Sequence, residues 1–174
     1  NGFKLTTASL YFDGQRDVIF TPDEIAFEKP GLAGRGRGLN YLTRGQTLKI
    51  PADAHVTLQG DAPGDLPVEI SSGDMMMGLR ESEVVFNEAV VMTRGDEAFS
   101  GNYLKATLDS SRRKILSVKA YGQVSASFVS GTGGGGARAS LETDTLLATM
   151  APDGKSVERI EALGHCRLSS QGMT

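Results

Sequence analysis

The sequence predicts an all-β protein built from many short strands that tight turns connect. Apolar and polar residues alternate with a period of two, which is the period of side chains along a strand. The 174 residues include 22 glycines. Turn sequences such as Asp13-Gly14, Arg44-Gly45 and Arg94-Gly95 separate the alternating segments, and similar segments recur along the chain. Together these observations indicate tandem β units rather than a helical domain.

The strands can be followed in order from the N-terminus. The segment YFDGQRDVIF (11–20) predicts a hairpin, and we expect TPDEIAFEK (21–29) to continue as a strand rather than to form a short helix. QTLKI, AHVTL and LPVEI are three further short strands. In VVFNEAVVMT (84–93) the alternation is interrupted at Glu88, where we expect a kink or a bulge. The segment KILSVKAYGQVSASF (114–128) has six apolar residues on one face: Leu116, Val118, Ala120, Val124, Ala126 and Phe128.

Composition argues against several classes of function. The net charge of −3 disfavours nucleic-acid binding, which needs a basic face against the phosphates. A single cysteine cannot form an internal disulfide, and no apolar stretch reaches the length of about 18 residues that a membrane span requires. The chain begins at Asn1 rather than Met, so we expect a mature or trimmed form without its targeting segment.

The run GTGGGGA (131–137) is the one low-complexity segment. It lacks the Gly-Lys-Ser/Thr ending of a phosphate-binding loop. We expect a flexible glycine-rich loop near residues 130–137.

Self-similarity is clearest around the only cysteine. The stretch EALGHCRL (161–168) aligns with KAYGQVSA (119–126), so that Cys166 takes the place of Val124. Further upstream, Val90 and Val56 occupy the same place, and the three spacings are 34, 34 and 42 residues. Such recurrence in units of about 34 residues is typical of stacked β units that cannot bury their apolar faces alone.

This alignment favours a structural interpretation of Cys166, as a small buried apolar residue rather than a nucleophile. Adjacent side chains of a strand point to opposite faces, so His165 and Cys166 should diverge. The chain has no Cys/His set with zinc-ligand spacing, no Gly-x-Ser-x-Gly elbow and no paired-histidine metalloprotease motif. We therefore predict no catalytic residue, no metal site and no cofactor.

Three long segments carry a resemblance to a known family. SGNYLKATLDSSRRKILSVKAYGQV (100–124), GRGRGLNYLTRGQTLKIPADAHVTL (34–58) and LETDTLLATMAPDGKSVERIEALGHCRL (141–168) resemble, in register, the units of the OstA-like lipopolysaccharide-export proteins. That group includes a bridge-forming, LptA-like type and an inner-membrane-tethered, LptC-like type. The resemblance covers residues 6–170. Cys166 in place of valine, the glycine-rich insertion and a short middle unit at 73–92 depart from the pattern.

The resemblance implies a single domain over residues 1–174, folded as a twisted open β-jellyroll of two antiparallel sheets in a V shape. It implies a non-enzymatic periplasmic protein of lipopolysaccharide transport, which binds the acyl chains in an apolar groove and passes them along a β-jellyroll bridge to the outer membrane. The implied partners are lipopolysaccharide through its lipid A acyl chains, other β-jellyroll export proteins joined by edge-strand addition, and an inner-membrane ABC transporter complex. For the tethered, LptC-like type, an inner-membrane segment would precede Asn1, whereas the LptA-like type would be a soluble bridge protein.

The alternation and the resemblance together point one set of apolar side chains toward the groove between the sheets. The predicted lipid-binding, inward-facing residues are Val56, Leu58, Ile70, Val84, Phe86, Val90, Met92, Leu104, Leu116, Val118, Val124, Phe128, Leu146, Ile160, Cys166 and Leu168. Met75, Met76 and Met77 are consecutive, so they cannot all face inward. We expect the docking edges to be the first strands, around 6–20, and the last strands, around 157–170.

Two other functions stay open. One is a non-catalytic structural β-repeat scaffold or adhesin module with a closed core. The other is a carbohydrate-active β-sandwich enzyme, which would need two converging carboxylates. An aromatic content of only 6% and the lack of tryptophan make sugar-stacking surfaces scarce, which disfavours the enzyme.

Overall fold

The computed structural model describes residues 4–59, 64–109, 115–130, 137–152 and 157–171. All regular structure in these ranges is β, which confirms the predicted fold class. The glycine-rich stretch 131–136, expected to be a flexible loop, lies outside the described residues. The strands are β1 (Lys4–Thr7), β2 (Tyr11–Asp13), β3 (Val18–Lys29), β4 (Leu32–Leu42), β5 (Thr47–Ile50), β6 (Ala52–Leu58), β7 (Val68–Ser72), β8 (Asp74–Gly78), β9 (Glu83–Arg94), β10 (Glu97–Leu108), β11 (Ile115–Ser130), β12 (Ala137–Met150), β13 (Val157–Leu163) and β14 (Arg167–Gln171).

The N-terminal strands agree with the sequence pattern. β2 and β3 form the expected hairpin, with Phe12 opposite Ile19. Residues 21–29, which we expected to be extended, form most of β3. The pairing of β3 with β4 shifts register between Thr21 and Glu24. Pro22 is tolerated in the strand because the ladder is already interrupted there.

The strands make ten successive crossings, and each crossing passes through two layers. Six crossings are single long strands that bend in the middle: β3, β4, β9, β10, β11 and β12. The other four are pairs of short strands separated by a break: β1–β2, β5–β6, β7–β8 and β13–β14. Every crossing pairs antiparallel with the crossings before and after it. The chain is therefore a meander that contacts mainly its sequence neighbours, as repeat proteins do.

We call layer one the half that contains β1, β6, β7 and β14, and layer two the half that contains β2, β5, β8 and β13. Each long strand contributes one end to each layer. In layer one, β7 pairs with the C-terminal end of β9. In layer two, β8 pairs with the N-terminal end of the same strand. The two layers are thus two halves of one continuous sheet.

A line of unusual backbone conformations separates the layers. The expected kink at Glu88 is confirmed, because φ is 64° at Glu88 and 49° at the next residue, Ala89. A residue with positive φ turns a strand sharply, as it does in a β-bulge. Similar conformations occur at the same level of other crossings, at Gly38, Asp53, Gly122, Gln123 and Gly164. These bends fold the sheet over itself.

Buried hydroxyl groups satisfy backbone groups along the bends. Ser72 Oγ donates to the carbonyl of Asp74 at 2.7 Å, and Thr143 Oγ1 lies 2.9 Å from the carbonyl of Leu163. Thr21 Oγ1 accepts from the Asp23 N–H at 3.1 Å. A bend interrupts the ladder, and a buried backbone group left unpaired would cost about 1–3 kcal/mol. The short polar side chains supply the missing partners.

The core lies between the two layers and forms one cluster. Its largest fully buried side chains are Ile50, Met75, Leu104, Val90 and Val124. Burying a side chain of this size stabilises the fold by about 1.5–3 kcal/mol. The three consecutive methionines alternate as the strand period requires. Met75 is buried, Met77 packs against the cluster and Met76 is exposed on the outer face.

We predict that Gly38→Ala destabilises the protein more than Gly31→Ala does. Both glycines have a φ of +80°, so a backbone strain of about 1 kcal/mol is common to both variants. A Cβ at position 38 would lie 2.7 Å from Pro51 Cγ, whereas a Cβ at position 31 would meet nothing within 4 Å. Overpacking adds about 1–3 kcal/mol. Urea unfolding measures the difference, and equal midpoints for the two variants would contradict the packing argument.

Candidate functional site

The candidate site is the apolar interior between the layers. Eight of the predicted inward-facing residues are buried in its core cluster: Val56, Ile70, Val84, Phe86, Val90, Leu104, Val124 and Leu146. Four more are partly buried and pack against that cluster: Leu58, Met92, Val118 and Phe128. The structure therefore brings twelve of these side chains together. Whether they contact lipid stays a prediction.

The repeat has a structural basis, but its alignment shifts in the first unit. Val90 and Val124 each follow a residue with positive φ, so each is the first inward side chain after a bend. In the earlier unit the residue after the bend at Asp53 is Ala54, which is buried, and Val56 lies two positions further on. Sequence similarity favoured valine over alanine. The turn chemistry of Pro51-Ala52-Asp53 was the signal that marked the bend.

Leu116 is exposed, contrary to its expected inward orientation. Its exposed fraction is 47%. The pairing of β10 with β11 shifts register there, because Leu108 pairs with Ile115 while Thr107 pairs with Ser117. Leu116 is the extra residue of this irregularity, and Ile115 packs against the core instead. A bulge of one residue reverses the alternation, which period counting alone does not detect.

Cys166 is also exposed, so the expectation of a buried apolar residue is wrong. It lies between β13 and β14 in the last crossing, where none of the described strands covers it. Its Sγ is 3.3 Å from the hydroxyl of Thr143. Val124, its counterpart two crossings earlier, is buried because β12 and β10 flank its strand. The difference arises from position in the stack and not from the local sequence.

His165 contacts Asp144 rather than the cysteine. Its Nδ1 lies 2.9 Å from Asp144 Oδ2, and its backbone N–H donates to the same oxygen at 3.2 Å. The two interactions hold the break between β13 and β14 against β12. They also lower the pKa of the Asp144 carboxyl group. The side-chain hydrogen bond from His165 has the larger effect, and the backbone hydrogen bond has the smaller one. The arrangement is a surface clamp on the last crossing.

The last two strands open the apolar interior to solvent. Leu168 pairs with the buried Leu141, and Ile160 pairs with Ala148, which packs against the core. Directly paired residues share a face of the sheet, so Leu168 and Ile160 lie on the inner faces of layers one and two. Their exposed fractions are nonetheless 70% and 49%. We call this opening the C-terminal mouth.

The first two strands form a less open end. Leu5 pairs with the buried Phe27 and packs against the core in layer one. Phe12 lies on the inner face of layer two, in a row with Ile19, Tyr41 and Leu48, and is 67% exposed. We call this end the N-terminal mouth.

Both ends of the meander also carry free strand edges. β1 and β2 each pair only with β3, and β13 and β14 each pair only with β12, among the strands that the structure describes. An unpaired edge exposes backbone donors and acceptors that a further strand can use. The expected docking segments around 6–20 and 157–170 thus overlap the four edge strands.

Two carboxylates share a hollow of about 220 Å³ on the outer face of layer two. It is lined by Glu81 and Glu83 together with Thr47, Met76, Gly78 and Val85. Glu83 is paired with Lys105 at 2.6 Å, and this hydrogen bond raises the pKa of the Lys105 ammonium. Glu83 is engaged in this ion pair, so the hollow does not present the two free carboxylates that a glycosidase uses.

Two negative findings apply to the described ranges. No group of three or more His, Cys, Asp or Glu residues there is close enough together to hold a metal ion. No helix of these ranges has the length and apolarity to cross a bilayer.

We predict that His165→Ala raises the pKa of Asp144 toward the ordinary value of an aspartate. A carboxylate with a depressed folded-state pKa stabilises the native state above its unfolded pKa, and this contribution is lost as the pH falls through the folded pKa. Titration followed by the carboxyl ¹³C shift measures the change. His55→Ala, which removes the other histidine, is the matched control. A titration of Asp144 that His165→Ala leaves unchanged would disprove the clamp.

Comparison with known proteins identifies the fold. No protein-family model and no curated protein matches the sequence. Among solved structures, the chain is similar to LptH from Pseudomonas aeruginosa, described as the LptA-homologous periplasmic component of the lipopolysaccharide transport device. The TM-score is 0.54 at 13% sequence identity, and the match covers 66% of this chain and 80% of LptH. The expected β-jellyroll of the LptA-like type is therefore confirmed as the fold of this chain.

Proposed function

We propose that this chain is a periplasmic component of the lipopolysaccharide transport machinery. It holds the acyl chains of its cargo between the two layers and passes them along a β-jellyroll bridge toward the outer membrane. The observation that carries the proposal is the C-terminal mouth, where inward-facing apolar side chains of both layers are open to solvent. A sandwich with a purely structural core gains nothing from such exposure, whereas a carrier needs an entrance.

The chemistry of the interior suits a saturated acyl chain. Such a chain has no hydrogen-bonding group, so it needs apolar lining and no fixed polar partner. The side chains between the layers are Val, Leu, Ile, Met, Phe and Ala. Each methylene group that leaves water contributes about 0.8 kcal/mol. Smooth walls of this kind also let a chain slide onward, which a transport step requires.

The middle of the interior is closed in this structure. Ile50, Met75 and Val90 are almost completely buried where the two layers meet. A close-packed core has no space for an additional chain, so cargo enters there only if the layers separate. The bends join the two layers along one border, so we expect any separation to occur at the opposite border. Loading therefore begins where the layers are already apart.

The fold likeness supports the same cellular process. LptH is a periplasmic component of a lipopolysaccharide transport device. On the OstA-like resemblance, this chain acts in the periplasm without catalysis. That resemblance also implies an inner-membrane ABC transporter complex as a partner and a tether to the inner membrane before Asn1.

The free edges support a chain of β-jellyrolls joined end to end. The first crossing runs from layer one to layer two, and the last crossing runs from layer two to layer one. When a C-terminal edge meets the N-terminal edge of a similar partner, both layers therefore continue as antiparallel pairs. Antiparallel edge addition reproduces the pairing found inside the chain and leaves no edge exposed at the junction.

Photocrosslinking from Phe128 and Val91 tests the proposed cargo site. Both residues lie in layer one, but Phe128 packs against the core and Val91 faces outward. With benzoylphenylalanine at each position, we expect purified lipopolysaccharide to be captured from position 128 and not from position 91. Capture from position 91 alone, or from neither position, would favour the structural scaffold with a closed core.

Crosslinking from the edges tests the proposed partners. We expect benzoylphenylalanine at Leu168, in β14, or at Leu10, between β1 and β2, to capture a purified β-jellyroll export protein. Met76 is the control, because it is exposed on the outer face of a strand paired on both sides. Capture from position 76 with none from the edges would contradict edge addition.

A further inference from the structure

We infer that the acyl-binding space of this chain is confined to its C-terminal third, between the crossings β10, β11, β12 and β13–β14, and fills through the C-terminal mouth. This inference rests on the proposed function and makes it narrower. The remaining crossings, from β1 to β9, form a closed core that supports the layers. In this structure the groove is therefore open at its C-terminal end, and passage of cargo along the bridge requires the layers between β1 and β9 to part.

The first argument is the size of the inward side chains along each cross-strand row. In layer two, one row runs Ile50–Met75–Phe86–Leu104 and then Ala120–Leu146–Ala162. A second row runs Leu48–Met77–Val84 and then Ala106–Val118–Ala148–Ile160. In both rows, alanine occurs only in β10 and the strands that follow it. Large side chains thus fill the space between the layers on the N-terminal side, and every second position is small on the C-terminal side.

Layer one shows the same change at the same crossing. Its inner row runs Phe27–Gly34–Val56–Ile70–Met92–Phe99 and then Ala126–Leu141–Leu168. Gly34 leaves no space, because the Phe27 ring occupies the position that a Cβ of residue 34 would take. The small positions of the two layers therefore belong to the same crossings. An acyl chain inserted there would have to displace fewer large side chains than on the N-terminal side, where Met75 and Phe86 fill the space.

The second argument is independent of side-chain size and concerns exposure. The inner residues Leu141 and Leu146 of β12 are buried. In the next crossing, β13–β14, the inner residues Leu168 and Ile160 are accessible to solvent. These two large apolar side chains belong to opposite layers, so the layers do not close on each other at this end. At the N-terminal mouth, Leu5 packs against the core and only Phe12 is open. The C-terminal mouth thus has two apolar walls that continue into the interior.

The third argument concerns the polar groups at the bottom of the slot. Thr143 is buried at the bend of β12, and its hydroxyl is already bonded to the carbonyl of Leu163 and lies beside Cys166. An apolar chain that reaches the bend therefore leaves no protein hydrogen bond broken. A polar ligand, by contrast, would find no free partner in Thr143. The occupant that fits this slot is a saturated hydrocarbon chain.

Tryptophan fluorescence can locate the acyl chain, because the native chain contains no tryptophan. Four single-tryptophan variants serve as reporters: Ile160→Trp and Leu168→Trp at the C-terminal mouth, Phe12→Trp at the N-terminal mouth, and Leu163→Trp on the outer face of β13. All four positions are exposed, so each tolerates a large side chain. The quencher is a fatty acid brominated in the middle of its chain, which quenches tryptophan only at short range.

We expect quenching at positions 160 and 168 to be at least three times stronger than at position 12. Quenching at position 163 should not exceed that caused by random collisions with unbound fatty acid. Quenching of similar strength at position 12 would overturn the confinement to one end while leaving the proposed function intact. Quenching that is strongest at position 163 would overturn the inference by moving the site to the outer face. Equilibrium dialysis of the same fatty acid against the unsubstituted chain tests acyl binding itself, and absence of binding there would count against the proposed function.

A second pair of variants tests the same space without a reporter. Ala148→Phe fills an inner position of β12, whereas Ala98→Phe adds the same ring to an exposed outer position of β10. We expect Ala148→Phe to weaken acyl binding about tenfold and Ala98→Phe to leave it unchanged, with cooperative urea unfolding in both variants. Unchanged binding in a folded Ala148→Phe variant would overturn the inference.

Discussion

A sheet of ten neighbouring crossings would normally extend as one twisted surface with both faces in water. In this protein most crossings bend or break at the same level, at or beside residues such as Gly38, Asp53, Ala89 and Gln123, whose φ is positive. The bends bring the two halves of the sheet face to face and create the interior. Because each half alone has an uncovered apolar face, neither layer is stable without the other. The bends therefore determine both the fold and the position of the apolar interior.

The interior serves two requirements that oppose each other. Stability needs tight packing between the layers, and the N-terminal side provides it with Phe27, Ile50, Met75 and Phe86. On the proposed function the interior must also admit an acyl chain, and the C-terminal side has smaller inner side chains and exposed last strands. Separating the two requirements along the stack lets one part of the molecule hold the layers in place while another part changes its contents. This division is possible because each crossing depends mainly on its immediate neighbours.

The sequence pattern was sufficient for the fold class, the hairpin at β2–β3, the kink at Glu88 and most of the inward-facing side chains. Alternation works wherever a strand is regular, since side-chain orientation then follows from counting. It failed at Leu116, where an irregular pairing reverses the count. Val56 is buried as predicted, but the repeat alignment shifts there, because Ala54 is the counterpart of Val90. Cys166 was misjudged for another reason, because burial depends on what lies beside a strand. The layer to which a segment belongs depends on pairing between distant residues, which no single stretch of sequence specifies.

The opposite directions of the first and last crossings have an evolutionary consequence. A stretch added to or removed from such a meander keeps both terminal edges compatible with their neighbours only if it contains an outward and a return passage. The repeat of about 34 residues seen in the sequence corresponds to two such passages, that is, two crossings. Val90 lies in β9 and Val124 lies in β11, two crossings later. Relatives of this protein are therefore expected to grow or shrink by whole pairs of passages. A change by a single passage would reverse the polarity of one end and leave it facing a parallel neighbour.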